Sequence, residues 1–105
     1  MSYDGSPMTE SMYYVLLSLI QPNHGYQLMN EIENVSKGRV KMGPGTLYGV
    51  LTRLQKDKLI IVVNDDGRRK TYSITSDGIS ALKKEYERLA SMVDDGAVIR
   101  GVKYE

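Results

Sequence analysis

Hydrophobic positions recur with a helical period three times in the first half of the chain. Met12, Val15, Leu16, Leu19 and Ile20 follow three- and four-residue spacing, which predicts a first helix running to about Ile20. Ser6-Pro7 suits its start, because serine caps a helix and proline fits its first turn. Gln21-Pro22-Asn23-His24-Gly25 stops it. In a second stretch Tyr26, Leu28, Met29, Ile32 and Val35 fall on or near one face, and Lys37-Gly38-Arg39 closes it. In a third, Leu47, Val50, Leu51 and Leu54 stand at i, i+3, i+4 and i+7, a stripe that faces a core. The other side of that helix offers Thr46, Tyr48, Gly49, Thr52, Arg53 and Lys56, none of which a core requires.

From Leu59 the period changes. Leu-Ile-Ile-Val-Val-Asn is a β-branched run, Asp65-Asp66-Gly67 is a hairpin turn signal, and Arg68 to Ile74 alternates as a returning strand with Tyr72 and Ile74 on one side. The expectation is a two-stranded ribbon. Thr75 then caps a last helix, with Asp77 favourable in its first turn. Along it Ile79, Leu82, Tyr86, Leu89 and Val93 follow 3-4-3-4 spacing, the narrow seam of helix-to-helix packing. Asp94-Asp95-Gly96 ends that helix, and no element is assigned to the tail after it. The fold class is therefore mainly α with a small β-ribbon (α+β). Residues 1–75 form a winged helix-turn-helix and residues 76–105 a C-terminal dimerisation helix and tail.

Composition narrows the class. The 105 residues make one small domain of ordinary globular content, 41% hydrophobic and 26% charged. The absence of cysteine excludes a disulfide framework and a Cys-ligated zinc. No apolar run reaches the roughly 20 residues of a membrane span, and Met1 to Glu10 lacks the basic start and apolar core of a signal peptide. A soluble, cytoplasmic protein is expected, with no membrane partner.

The net charge of +1 hides an asymmetry. From Lys37 to Lys70 there are nine basic residues (Lys37, Arg39, Lys41, Arg53, Lys56, Lys58, Arg68, Arg69, Lys70) against three acidic ones, a balance of +6; the remainder carries −5. Cations gathered on one segment neutralise phosphates and release their counterions, although a merely solvated lysine-rich surface has the same composition. In a winged helix-turn-helix the third helix enters the DNA major groove and the ribbon lies along the flanking backbone, so basic residues belong in those two elements. The competing reading is a winged-helix module that contacts only protein.

Catalytic and cofactor chemistry finds no support. His24, the only histidine, has no nucleophile or carboxylate partner nearby in sequence and stands alone as a metal ligand. Gly43-Pro44-Gly45 lacks the Lys-Ser/Thr of a nucleotide-binding loop. No cofactor, metal or enzyme activity is expected. Glycines at 45 and 49 instead clear the start of the third helix, whose free N–H groups can hold a DNA phosphate. Thr46 and Tyr48 add hydroxyls there, Tyr48 being alternatively a half-buried packing residue. Thr52 and Arg53 continue the face, and Arg53 suits either phosphate or base.

The run from Met12 to Leu89 resembles the PadR family of bacterial transcriptional regulators. The likeness rests on His24-Gly25-Tyr26, on GPGTLYGVLTRL at Gly43 to Leu54, on RRKTYSIT at Arg68 to Thr75, and on Thr75-x-x-Gly78. The resemblance implies a homodimeric repressor whose recognition helices and wings grip a palindromic operator in double-stranded DNA. DNA contacts are expected at Lys41, Gly45, Thr46, Tyr48, Thr52, Arg53, Arg68, Arg69 and Lys70. The last helix would dimerise through Ile79, Leu82, Tyr86, Leu89 and Val93, near the partner's first helix. It also leaves room for a small-molecule effector that loosens DNA binding. Members that bind planar drugs carry a tryptophan in the dimerising helix. This chain has neither tryptophan nor phenylalanine, which leaves Tyr13, Tyr14 and Tyr86 as the aromatics that could line an effector pocket, or else pack in the core or the interface.

Overall fold

The computed structural model describes residues 3–103. In chain order they form α1 (Glu10–Ser18), β1 (Asn23–His24), α2 (Gly25–Val35), α3 (Pro44–Lys56), β2 (Ile60–Asp65), β3 (Lys70–Ile74), α4 (Ser76–Asp95) and a 3₁₀ segment (Gly96–Gly101). Leu16, Leu19, Leu28, Ile32, Leu47, Leu51, Leu54, Leu59 and Ile60 are buried at the point where α1, α2, α3 and the sheet meet. Each such side chain contributes about 1.5–3 kcal/mol of transfer free energy, and this shared core fixes α3 and the β2–β3 hairpin, the wing, relative to each other.

The sheet has three strands, not two. β1 pairs antiparallel with β3 (Asn23 opposite Tyr72, His24 opposite Thr71), giving the order β1-β3-β2. A two-residue strand carries no periodicity, so only its partner reveals it. β2 and β3 pair from Ile60–Ile74 to Asp65–Lys70, with a register shift between Val62 and Asn64.

Other boundaries move for identifiable reasons. Thr9, not Ser6, caps α1: its Oγ1 accepts the Met12 N–H at 3.1 Å. Residues 3–9 instead form a strap laid over α4, where the Met8 N–H donates to Glu85 Oε2 at 2.9 Å. Glu85 is buried and receives Nε and Nη2 of Arg88 at 2.9 and 2.6 Å. The first helix stops at Ser18 instead of Ile20, since the Leu19 carbonyl accepts the Ile74 N–H at 3.1 Å. In α2 the core contacts come from Leu28 and Ile32, while Tyr26 and Val35 face solvent.

Where α3, β2 and α4 converge, the chain is tied tightly. α3 ends with Lys58 at φ 63° and the Leu59 N–H returning to the Leu54 carbonyl at 2.9 Å, a left-handed closure. Thr75 then takes both adjacent carbonyls: its Oγ1 donates to Lys58 at 2.8 Å and its N–H to Leu59 at 3.0 Å. The same Oγ1 accepts the Gly78 N–H at 3.0 Å, capping α4 as expected. The approach is so close that a Cβ on Gly78 would lie 2.1 Å from the Leu59 carbonyl oxygen.

Gly78→Ala should cost about 1–3 kcal/mol or more in urea unfolding, because backbone must move. Gly49→Ala, with nothing within 4 Å of its added Cβ, should instead stabilise α3 by about 0.5–1 kcal/mol. Glu85 responds to pH, because its carboxyl is held below its ordinary range by the Arg88 hydrogen bond and then by the Met8 N–H, against the opposing effect of burial. Its contribution is therefore complete above the unfolded value of about 4.3 and lost as pH falls through the lowered folded value. The stability gap between wild type and Glu85→Gln should be present at about pH 7 and shrink progressively as the pH is taken below the ordinary carboxylate range of about 4.

Candidate nucleic-acid interface

α3 begins without a side-chain cap. Gly43 is its N-cap in extended conformation, Pro44 occupies the first turn, and a Cβ at Gly45 or Gly49 would meet nothing within 4 Å. Leu47, Leu51 and Leu54 anchor the helix in the core, so Thr46, Tyr48, Gly49, Thr52, Arg53 and Lys56 are all exposed. Thr52 Oγ1 donates back to the Tyr48 carbonyl at 2.8 Å, which commits its hydroxyl proton to the helix's own backbone. Arg53 is steadied by Asp57, Nε to Oδ2 at 3.2 Å, with its terminal nitrogens outside that bond.

Tyr48 does two things at once. Its ring lies on Gly25, where a Cβ would come within 2.9 Å of the Tyr48 Oη, and 45% of the residue is still exposed. Glycine at 25 is thus a space requirement between α2 and α3.

The wing presents Arg68, Arg69 and Lys70, all exposed and none in an ion pair among the described residues. Its acidic tip is turned inward: Asp66 Oδ1 accepts the N–H groups of Arg68 and Arg69 at 3.0 and 2.8 Å, and these bonds, Arg69's first, hold its carboxyl below the ordinary range. Lys41 is exposed on the loop before α3. Arg39, by contrast, is committed elsewhere, to Glu10 at 2.5 Å and to the Tyr14 hydroxyl at 2.8 Å.

Between α3 and the wing lies a cleft of about 630 Å³. Tyr26, Tyr48, Thr52 and Gln55 line it together with Arg68, Arg69 and Lys70, and His24 and Tyr72 lie at its base. His24 sits in β1 with Nδ1 3.4 Å from Thr71 Oγ1. Sequence reasoning missed Tyr26 and Gln55 as lining residues. The signal for Tyr26 was available: at about 100° per residue it stands some 200° from Leu28, which places it opposite the core stripe.

On α4, Leu82 belongs to the chain's own core, Leu89 is half-buried, and Ile79, Tyr86 and Val93 are exposed, Val93 by 72%. A groove of about 330 Å³ between α1 and α4 brings Tyr13 and Tyr86 together with Leu17 and Leu82, flanked by Lys83 and Glu87. Tyr14 is not among its lining residues: it meets Tyr13 edge-on at 5.9 Å and turns its hydroxyl to Arg39. A third cleft, beside the strap, carries Asp4, Asp57, Asp77 and Glu85. Among the described residues there is no group of three or more His, Cys, Asp or Glu suited to a metal, and no helix long and apolar enough to cross a membrane.

The chain is similar to known proteins in sequence and in fold. An uncharacterised 37.1 kDa protein in transposon TN4556 of Streptomyces fradiae is 37% identical over 86 residues, 79% of this chain and 24% of that protein. The transcriptional regulator YqjI of Escherichia coli is 33% identical over 67 residues, 64% of this chain and 32% of the regulator. This chain therefore spans about a quarter of the length of the first relative and about a third of the second. The crystal structure of a PadR family transcriptional regulator from Eggerthella lenta superposes with a TM-score of 0.75 at 23% identity, covering 88% of this chain and 82% of that one. Residues 15–84, from α1 into α4, match the transcriptional regulator PadR-like family, and the chain thus belongs to that family of DNA-binding transcription regulators rather than to a family of enzymes.

Proposed function

We propose that the protein is a cytoplasmic, homodimeric repressor that binds a two-fold palindromic operator. The observation that carries the reading is the cleft just described, in which three unpaired wing cations face the exposed hydroxyl side of α3 across one opening. α3 enters the major groove with Thr46, Tyr48, Thr52 and Arg53. Gly45 and Gly49 admit a phosphate to its uncapped start, and Lys41, Arg68, Arg69 and Lys70 neutralise the flanking backbone. A dimer presenting one such helix per subunit favours half-sites one helical turn, about 34–36 Å, or a multiple apart.

Exposed Ile79, Tyr86 and Val93, with half-buried Leu89 between them on α4, support the dimer, Leu82 serving the subunit's own core beneath them. The Tyr13–Tyr86 groove supports an effector at the small end of ligand-site sizes, about 300 Å³, placed where a ligand would shift α4 against α1.

Titration against duplex DNA upstream of its own reading frame, at several salt concentrations, tests the DNA reading. Each phosphate contact adds about 0.9 to the slope of log affinity against log salt, so Arg69→Ala should lower that slope by about one. An unchanged slope removes the wing contact, and affinity without sequence preference favours the protein-interaction module instead. For the dimer, Val93→Asp places a charge on a position that is exposed in the subunit. It should sediment as a folded monomer, and a folded dimer would move the interface elsewhere.

A further inference from the structure

The polar side of α3 is two stripes, not one. Tyr48, Thr52 and Gln55 stand at i, i+4 and i+7 and look into the cleft, whereas Thr46, Gly49 and Arg53 lie about a third of a turn away around the helix. A duplex whose major groove admits α3 has a sugar-phosphate strand on each side of that groove, and the strand on the wing side must pass between α3 and Arg68–Lys70.

The cleft matches such a strand in charge and in donors. None of its lining residues is a carboxylate, whereas the clefts beside the strap and between α1 and α4 both contain acidic side chains. Opposite the three wing cations, Tyr26 Oη, Tyr48 Oη and the Gln55 amide have no hydrogen-bond partner among the described residues. Tyr26 is 73% exposed, an aromatic residue held in water at the start of α2 beside Tyr48. Thr52 has already spent its proton on the Tyr48 carbonyl.

We propose that Tyr26, Tyr48 and Gln55 are neutral phosphate ligands that clasp one DNA strand against the wing, leaving the Thr46–Arg53 stripe to read bases. This rests on the DNA-binding reading and adds Tyr26 and Gln55 to it. Tyr48, laid over Gly25, links the two helices that supply these donors, so the clasp moves as a unit with the core. A neutral hydroxyl releases no counterion, which separates its signature from that of an arginine.

The test uses the full chain and two duplexes of about 30 base pairs, one from upstream of its own reading frame and one of random sequence, long enough for half-sites one turn apart. Tyr26→Phe, which removes one oxygen from an exposed position, should weaken both complexes about tenfold, with the salt slope and the ratio of the two affinities unchanged. Gln55→Ala should do the same. Wild-type affinity in both variants overturns the clasp while leaving the wing contact intact; so does a loss confined to one duplex, which would make these residues base readers. Absence of salt-dependent DNA binding in the wild type overturns the DNA reading itself.

Discussion

The close approach of Gly78 to the Leu59 carbonyl sets α4 against the end of α3 and the root of the wing, which the buried leucine core already holds together. One threonine caps α4 while accepting responsibility for two carbonyls at the end of α3, and the helix axis can come that close only because residue 78 has no side chain. The consequence is geometric: the Lys58–Leu59 segment that joins α3 to β2 and the first turn of α4 form one junction. α3, the root of the β2–β3 hairpin and the start of α4 therefore share a frame.

A second close approach performs a related task at the opposite end of α3. Gly25 lets Tyr48 lie across the start of α2, so a residue exposed to the cleft is also fixed by packing. Polar groups held by a core need less ordering on binding than groups on a mobile loop. Of the two roles that the sequence leaves open for Tyr48, the structure shows the packing one, on Gly25, with 45% of the residue still exposed.

Long periodic segments were legible and short ones were not. The Leu47–Leu54 stripe, the Thr75 cap, the Asp65–Gly67 turn and the end of α4 at Asp94-Asp95-Gly96 could be read because each is a local pattern with a local cause. β1 could not, since two residues become a strand only when β3 arrives from across the chain. Ser6-Pro7 mimics a helix start, but Glu85, 77 residues away from Met8, draws that segment onto α4. Leu82 fits the seam spacing yet faces inward, because helix periodicity marks a face without saying whose apolar surface covers it. The charge balance was similarly coarse: Arg39 counts toward the basic segment but is neutralised by Glu10, which lies outside it.

The carboxylate of Asp66, which accepts from its own turn, has a bearing on the entropy of any binding by the hairpin. A basic arm that is disordered in the free protein must lose its conformational freedom when it meets DNA, at about 1–2 kcal/mol for each backbone residue fixed. Here the two arginine amides are already held by their own turn, so that freedom is surrendered once, during folding. The acidic tip, which looks in sequence like a repulsive blemish on a cationic hairpin, is the part that makes the hairpin arrive preformed.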